Sequence, residues 1–278
     1  MKGLESLIQK IDRLPTIPTV AAKMLEIVDN PQSSGRELSR IVTSDPPLAG
    51  WVIRTVNSAV YGLERPVSSI HQAVLLLGFQ QVKSLCLGVS VFRGFDLAAM
   101  REGSYRRQDF LRHSLTVGFL ARRFAQAGQL GVEPDTAFAI GLLHDVGLLV
   151  KDQYLHDEFT AILACAEEQQ IPYDAAEKAV GEFDHALIGA FLLREWRFNE
   201  EVYERVRRHH YPLDEEKYPR EAVVVAAADW LCDRAGIGFA PDRNRPDPGP
   251  DLWEALSLPE DARKEHLALA VDAVAEIL

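Results

Sequence analysis

The run GLLHDVGLL, residues 141–149, sets an imidazole and a carboxylate, His144 and Asp145, between leucines that read as core. Burying a charge or an unpaired polar group is unfavourable unless a partner meets it. Any fold of this chain must therefore bring other polar groups, or an ion, to that pair. The same constraint recurs along the sequence. His113 lies in FLRHSLTVGFL, His185 in FDHALIG and Asp229 in VVVAAADWLCD, each among apolar helix-forming residues. His209 and His210 end the segment EEVYERVRRHH, where a helix end meets a turn.

Each of these groups alone has an ordinary structural explanation. A lone histidine on an apolar helix is more often a hydrogen-bonded core residue than a ligand. Asp229 could pair with an arginine such as Arg207, and His209-His210 could be the cationic end of a helix dipole. Together they say more. Five histidines and two aspartates from separate segments are the ligand types of a mixed nitrogen and oxygen site, and seven are too many for one tetrahedral zinc. They suit two divalent ions with Asp145 bridging. Two ions about 3.5–4 Å apart form the clamp used for in-line displacement at phosphorus. Their four positive charges exceed what Asp145 and Asp229 return, and the surplus would attract an anion such as a phosphate or phosphodiester. Asp109 stands four residues before His113, on the same helix face one turn away. It is a candidate extra ligand, although a solvated acid is the plainer reading.

Nearly every segment carries helical spacing. Leu4, Leu7, Ile8 and Ile11 fall on one face, and Asn30-Pro31 and Asp45-Pro46 look like capped helix starts. Further helices are expected over roughly 69–78, 80–95, 106–127, 134–147, 157–169, 174–180, 184–196, 200–210, 220–235 and 260–277. No alternating run is strong enough for a sheet, so the fold is expected to be all-α. FAPDRNRPDPGPD, residues 239–251, reads as a loop. A softer boundary at LAAMREGS, residues 97–104, divides an N-terminal helical subdomain, 1–98, from a second one, 99–278, that holds seven of the eight histidines.

The formal charge of -11 and pI near 5.2 argue against a general nucleic-acid binder, whose footprint is basic. Residues 36–60 could pass for a helix-turn-helix, but the second helix offers only Arg54, Asn57 and Ser58 amid Trp51, Val52, Ile53 and Val56. An ordinary helical hairpin accounts for it better, with Trp51 and Asn57 at a structural junction. Cys86, Cys165 and Cys232 lie far apart, form no CxxC unit and fit a reducing compartment. The N-terminus carries Glu5, Lys10 and Asp12 among its apolar residues and is no signal peptide. The apolar run from Val223 to Ala228 is far too short for a bilayer. The expected location is the cytoplasm, without membrane contact. His71, His156 and His266 read as ordinary surface or helix-end residues.

The order His113, His144-Asp145, His185, His209-His210, Asp229 resembles the dinuclear pattern of the HD-GYP branch of the HD metal-dependent phosphohydrolases, whose members hydrolyse cyclic di-GMP. HHYPLDEEKYP has the length of the HD-GYP stretch, with Lys217-Tyr218-Pro219 where Gly-Tyr-Pro would stand. The N-terminal part is more similar to the HDOD domain, the HD-related output domain of bacterial signalling proteins. LPTIPTVAAKMLEIV, IVTSDPPLAGWVIRTVNSAVYG and SSIHQAVLLLGFQQVKSL carry that match, through Leu-Pro-x-Ile-Pro, Asp-Pro-x-Leu, Asn57-Ser58 and Leu77-Gly78. The resemblance runs from about residue 10 to about residue 235. It implies an N-terminal helical subdomain packed on an HD-superfamily helical bundle.

The two resemblances imply different functions. HDOD domains are generally regulatory modules, many without a complete metal set, whereas this chain keeps the full set. It departs from active HD-GYP enzymes at Leu148, where a lysine usually follows His-Asp-x-Gly, and at the absent glycine of Gly-Tyr-Pro. An ammonium near the metals would stabilise charge on phosphoryl oxygens. The expectation is a signal-transduction output module of HDOD type that retains two divalent ions and binds a phosphate-bearing or anionic ligand, acting on a signalling protein partner. Iron or manganese suits the ligands, with zinc or nickel as alternatives. The alternative is an active phosphohydrolase or phosphodiesterase cleaving a cyclic dinucleotide or another phosphoester. With no receiver, kinase or GGDEF-like segment in these residues, the input is expected from another chain or a small molecule.

Overall fold

The structure, a computed structural model, describes residues 15–28, 34–58, 61–93, 95, 107–128, 130–210, 220–238 and 245–278. The helix read over Leu4–Ile11, the Asn30-Pro31 start, the LAAMREGS boundary and the Lys217-Tyr218-Pro219 segment lie outside them. Among the described residues there are helices and no strands, so the fold is all-α.

The N-terminal helices are α1 (Thr19–Val28), α2 (Gly35–Thr43), α3 (Pro46–Val56), α4 (Ile70–Leu77) and α5 (Phe79–Phe92). Local chemistry sets their starts. Ser34, Asp45 and Ser69 accept from the backbone N–H of Glu37, Leu48 and Gln72, which satisfies a donor that each first turn would otherwise leave unmet. Pro46, with no N–H to lose, follows the Asp45 cap. The helix-turn-helix resemblance ends in packing. Asn57 is committed to the backbone of Val67, accepting from its N–H at 2.7 Å and donating to its carbonyl at 2.9 Å. Ser58 is buried and donates to the Thr55 carbonyl. Asn57 is the junction residue expected, and Trp51 packs partly buried against the core.

The second half holds α6 (Arg107–Ala127), α7 (Pro134–Leu143), α8 (Val146–Tyr154), α9 (His156–Gln169), α10 (Tyr173–Val180), α11 (His185–Glu195), α12 (Glu200–Arg207), α13 (Arg220–Arg234), α14 (Pro250–Leu256) and α15 (Glu260–Ile277). The long helix α6 is central, packed by α7, α13 and α15. One continuous apolar core runs from Ala21 to Ile277. Several ties join the halves, among them α5 lying on α7, α15 touching both α6 and α3, and the buried Trp196 indole donating to the Pro15 carbonyl at 2.9 Å.

Two expectations change. The single helix over 134–147 is two helices, because the chain breaks at His144-Asp145. The stretch 239–251 is not loop throughout, since Pro250 opens α14; its residues 239–244 lie outside the described ones. Apolar spacing continues through the break and hides it. No helix among the described residues is long and apolar enough to cross a membrane.

Candidate metal centre

Close helix crossings bring the polar groups together. Where α6 meets α7, a Cβ on Gly141 would lie 2.9 Å from the Gly118 Cα, so only two bare backbones can approach this closely. Where α8 meets α11, a Cβ on Gly147 would lie 1.9 Å from the His185 carbonyl oxygen. The first crossing sets His113 of α6 beside His144, and the second sets His185 beside Asp145.

His144 and Asp145 form the turn between α7 and α8. Asp145 stands at the N-cap of α8 yet makes no side-chain cap bond, so its carboxylate is turned to other partners. Its Oδ2 lies 3.2 Å from His144 Nε2 and 3.6 Å from His113 Nε2. Asp229 Oδ1, from α13, lies 3.2 Å from His113 Nε2 and 3.5 Å from His144 Nε2. The other oxygen, Asp145 Oδ1, lies 3.2 Å from His185 Nε2 and 3.6 Å from His209 Nε2. His210 Nε2 completes this side, 2.8 Å from His185 Nε2. The seven expected residues thus converge as two groups, His113, His144 and Asp229 against His185, His209 and His210, with one Asp145 oxygen facing each. Asp109 does not join them: its side chain is 49% exposed and pairs with Arg112 at 3.5 Å.

For His113, His144, His185 and His209 the donor chemistry fits divalent ions; His210 differs, because Arg245 donates to its Nδ1 at 3.3 Å, so Nε2 carries the proton that an ion would have to displace. A ligand histidine presents one nitrogen lone pair inward and anchors its other N–H on an acceptor. Here Nδ1 of His113, His144 and His209 sits 2.7 Å from the carbonyls of Ile237, Gly141 and Val206, and Nδ1 of His185 sits 2.7 Å from a Glu177 carboxylate oxygen. Those acceptors fix Nδ1 as the donor and leave Nε2 facing its group. His209 Nε2 is buried without a hydrogen-bond partner, which is unfavourable in a core and suited to a ligand.

Two outer triads complete the centre. Glu177 and Lys151 are wholly buried; Lys151 Nζ lies 3.1 Å from Glu177 and 3.0 Å from Glu158. In the other triad Arg245 lies 2.6 Å from Asp229 and 3.2 Å from Asp233, with its other nitrogen 3.3 Å from His210 Nδ1. Each triad is carboxylate–cation–carboxylate with a net charge of minus one. The sequence reading missed Glu177, Lys151 as a member, Asp233 and Arg245. It offered Arg207 for Asp229, but Arg207 pairs with Glu204 instead.

Burial and neighbouring charges move the imidazoles of the centre in opposite directions. Burial works against a charge on His144, yet the carboxylates of Asp145 and Asp229 outweigh it and raise its pKa to about 10. His185 is likewise held well above the usual range, burial being overcome by Glu177 and Asp145. Burial would raise Asp145 and Asp229, but the imidazoles around the first and Arg245 and His144 beside the second hold both well below the usual carboxylate range. His209 and His210 are pushed down, mainly by burial. An ion bound there would have to displace a proton from His144 or His185, so its binding would be coupled to proton release.

A cavity of about 420 Å³ opens on this centre, lined by His209, His210, Lys178, Trp230, Arg245 and Pro246 among others. Leu148 is buried, and Lys151 is committed to Glu158 and Glu177.

The HDOD domain profile matches residues 14–212. An uncharacterized protein of Treponema pallidum is 26% identical over 223 residues, 78% of this chain and 42% of its own length. Ribonuclease Y of Thermotoga petrophila is 35% identical over 124 residues, 45% of this chain and 18% of that enzyme. The chain thus spans less than half the length of these curated relatives. Among solved structures, an HDOD domain protein of unknown function from Geobacter sulfurreducens superposes with a TM-score of 0.82 at 23% identity, covering 100% of this chain and 97% of that one. With its all-α architecture and a profile match across most of its length, the chain belongs to the HDOD domain family.

Proposed function

We propose that this chain is a signalling output module whose His/Asp centre holds two divalent ions and binds a phosphate-bearing anion, and that occupancy biases its contacts with a partner protein. The observation that carries the reading is the Asp145 carboxylate, with one oxygen toward each histidine group. His113, His144, Asp229 and Asp145 Oδ2 would hold one ion; His185, His209, His210 and Asp145 Oδ1 would hold the other. Bound there, the ions would supply positive charge to phosphoryl oxygens and lower the pKa of water. The residues of this chain do the rest: Asp145 fixes the spacing of the two groups, and the carbonyls and Glu177 fix the tautomers of His113, His144, His185 and His209. The histidine and aspartate set suits iron or manganese, with zinc or nickel as alternatives.

The experiment is elemental mass spectrometry on untagged protein purified without oxygen, followed by calorimetric titration with inorganic phosphate and with cyclic di-GMP. Two ions per chain, reduced in His144→Ala and Asp145→Ala, with anion binding that needs the metals and no turnover, is the expected result. Wild-type metal content in both variants refutes the assignment.

A second reading, a metal-dependent phosphohydrolase, is favoured by the complete ligand set and by the cavity that reaches His209 and His210. The similarity to ribonuclease Y agrees with it. Against it stands Leu148, since no ammonium replaces the lysine there and Lys151 is engaged by two glutamates. Turnover of cyclic di-GMP or of a short RNA would select this reading over the first.

A further inference from the structure

We infer that Glu177, held by Lys151, is a positioning residue that sets how tightly the second ion position is filled. The inference rests on the two-ion reading above and goes beyond it, because it makes the two positions unequal.

The inequality begins with the ligands. The first position faces two carboxylate oxygens, Asp145 Oδ2 and Asp229 Oδ1. Among the described residues, the second faces three imidazoles and a single carboxylate oxygen, Asp145 Oδ1. It is short of negative charge by one carboxylate. The histidines of the first position both donate to neutral carbonyls, those of Ile237 and Gly141. At the second, His209 also leans on a carbonyl, but His185 donates from Nδ1 to a carboxylate at 2.7 Å. An ionised acceptor makes an imidazole a stronger ligand and fixes which nitrogen faces the ion. Glu177 thus returns, through His185, the charge that this position lacks.

Glu177 is built for that position. Its side chain has no exposure, and it also accepts the backbone N–H of His185 at 3.0 Å, so the carboxylate grips both ends of the residue it orients. A lone carboxylate at that depth would be unfavourable, and Lys151, equally buried, offsets it at 3.1 Å. Glu158 balances the other side of Lys151. The contacts Glu158–Lys151–Glu177–His185 link α9, α8, α10 and α11, four consecutive helices tied at the residue that begins α11.

The test is stepwise Mn²⁺ binding to chelator-stripped full-length protein, with free Mn²⁺ read by electron paramagnetic resonance. It compares wild type, Glu177→Gln and the double variant Lys151→Met/Glu177→Gln. Glutamine keeps the shape and can still accept from Nδ1, but it carries no charge. The expected result is two ions in wild type. In both variants the first affinity holds and the second weakens by about 10–100-fold, the usual consequence of losing an outer partner of a ligand. The double variant removes the buried lysine together with its counter-charge, so it separates folding from ligand tuning. If it regains tight binding of the second ion, or if Glu177→Gln weakens both positions equally or neither, the inference is overturned. Fewer than two ions in wild type would instead overturn the two-ion reading itself.

Discussion

Replacing Gly147 by alanine tests whether the α8–α11 crossing builds the centre. The new Cβ would stand 1.9 Å from the His185 carbonyl oxygen and 2.8 Å from the Gly189 N, both of them backbone atoms that no rotamer change can move. Ordinary contact needs roughly 3.5 Å, so the helices must part by about 1.5 Å. His185 Nε2 and Asp145 Oδ1 are now 3.2 Å apart, and they sit on opposite sides of that crossing. Ligand distances tolerate only about ±0.2 Å, so the second ion position should be lost while the first, seated by the α6–α7 crossing, is retained. Overpacking of this kind costs about 3 kcal/mol, from which alanine's better helix propensity recovers about 1. The net of about 2 kcal/mol predicts a Tm lower by roughly 4–8 °C. Calorimetry and metal analysis on the same preparation read both effects. An unchanged Tm with two ions per chain would refute the reasoning.

Gly50→Ala is the converse case: inside α3 the added Cβ would meet only an Arg54 guanidinium nitrogen at 3.8 Å, so stability should rise by about 0.5–1 kcal/mol, read as a higher Tm. Asn57→Ala leaves both polar groups of the buried Val67 backbone unmatched and should cost about 1–3 kcal/mol in urea unfolding; a loss under about 0.5 would contradict the junction role. Metal affinity should rise with pH. His144, with its pKa near 10, carries a proton at neutrality that an ion must displace, so apparent Mn²⁺ affinity should climb by up to about tenfold per unit between pH 6.5 and 8.5. A flat profile would show that no proton is displaced.

The fold class and the seven converging residues were legible because burial makes polar groups conspicuous: a histidine or aspartate among leucines and valines demands a partner. The supporting residues were not. Glu177 sits in YDAAEKAV, whose alternation of acid, base and alanine resembles a solvated helix. Its burial arises only because α10 packs on α9 against the start of α11. Arg245 lay in a stretch whose prolines and charges read as loop, and backbone proximity alone gives it Asp229. Lys151 did carry a signal, since a lysine in VGLLVKDQY follows the same rule as His144. Asp109 shows the opposite error: helical spacing from His113 is real, but the face it shares at that end of α6 is open to water. The break at His144-Asp145 was invisible because the apolar spacing of α7 continues into α8.

Helix α11 has His185 of the candidate centre as its first residue, and the Trp196 indole directly after its last. Eleven residues of helix span about 16 Å. The near end is fastened to Asp145 and Glu177, the far end to the carbonyl of Pro15. It is therefore a strut whose two feet stand in different halves of the molecule. A tilt imposed at one foot is delivered to the other without any intervening loop to absorb it, and the foot at Pro15 is one of the points where the N-terminal part meets the second half.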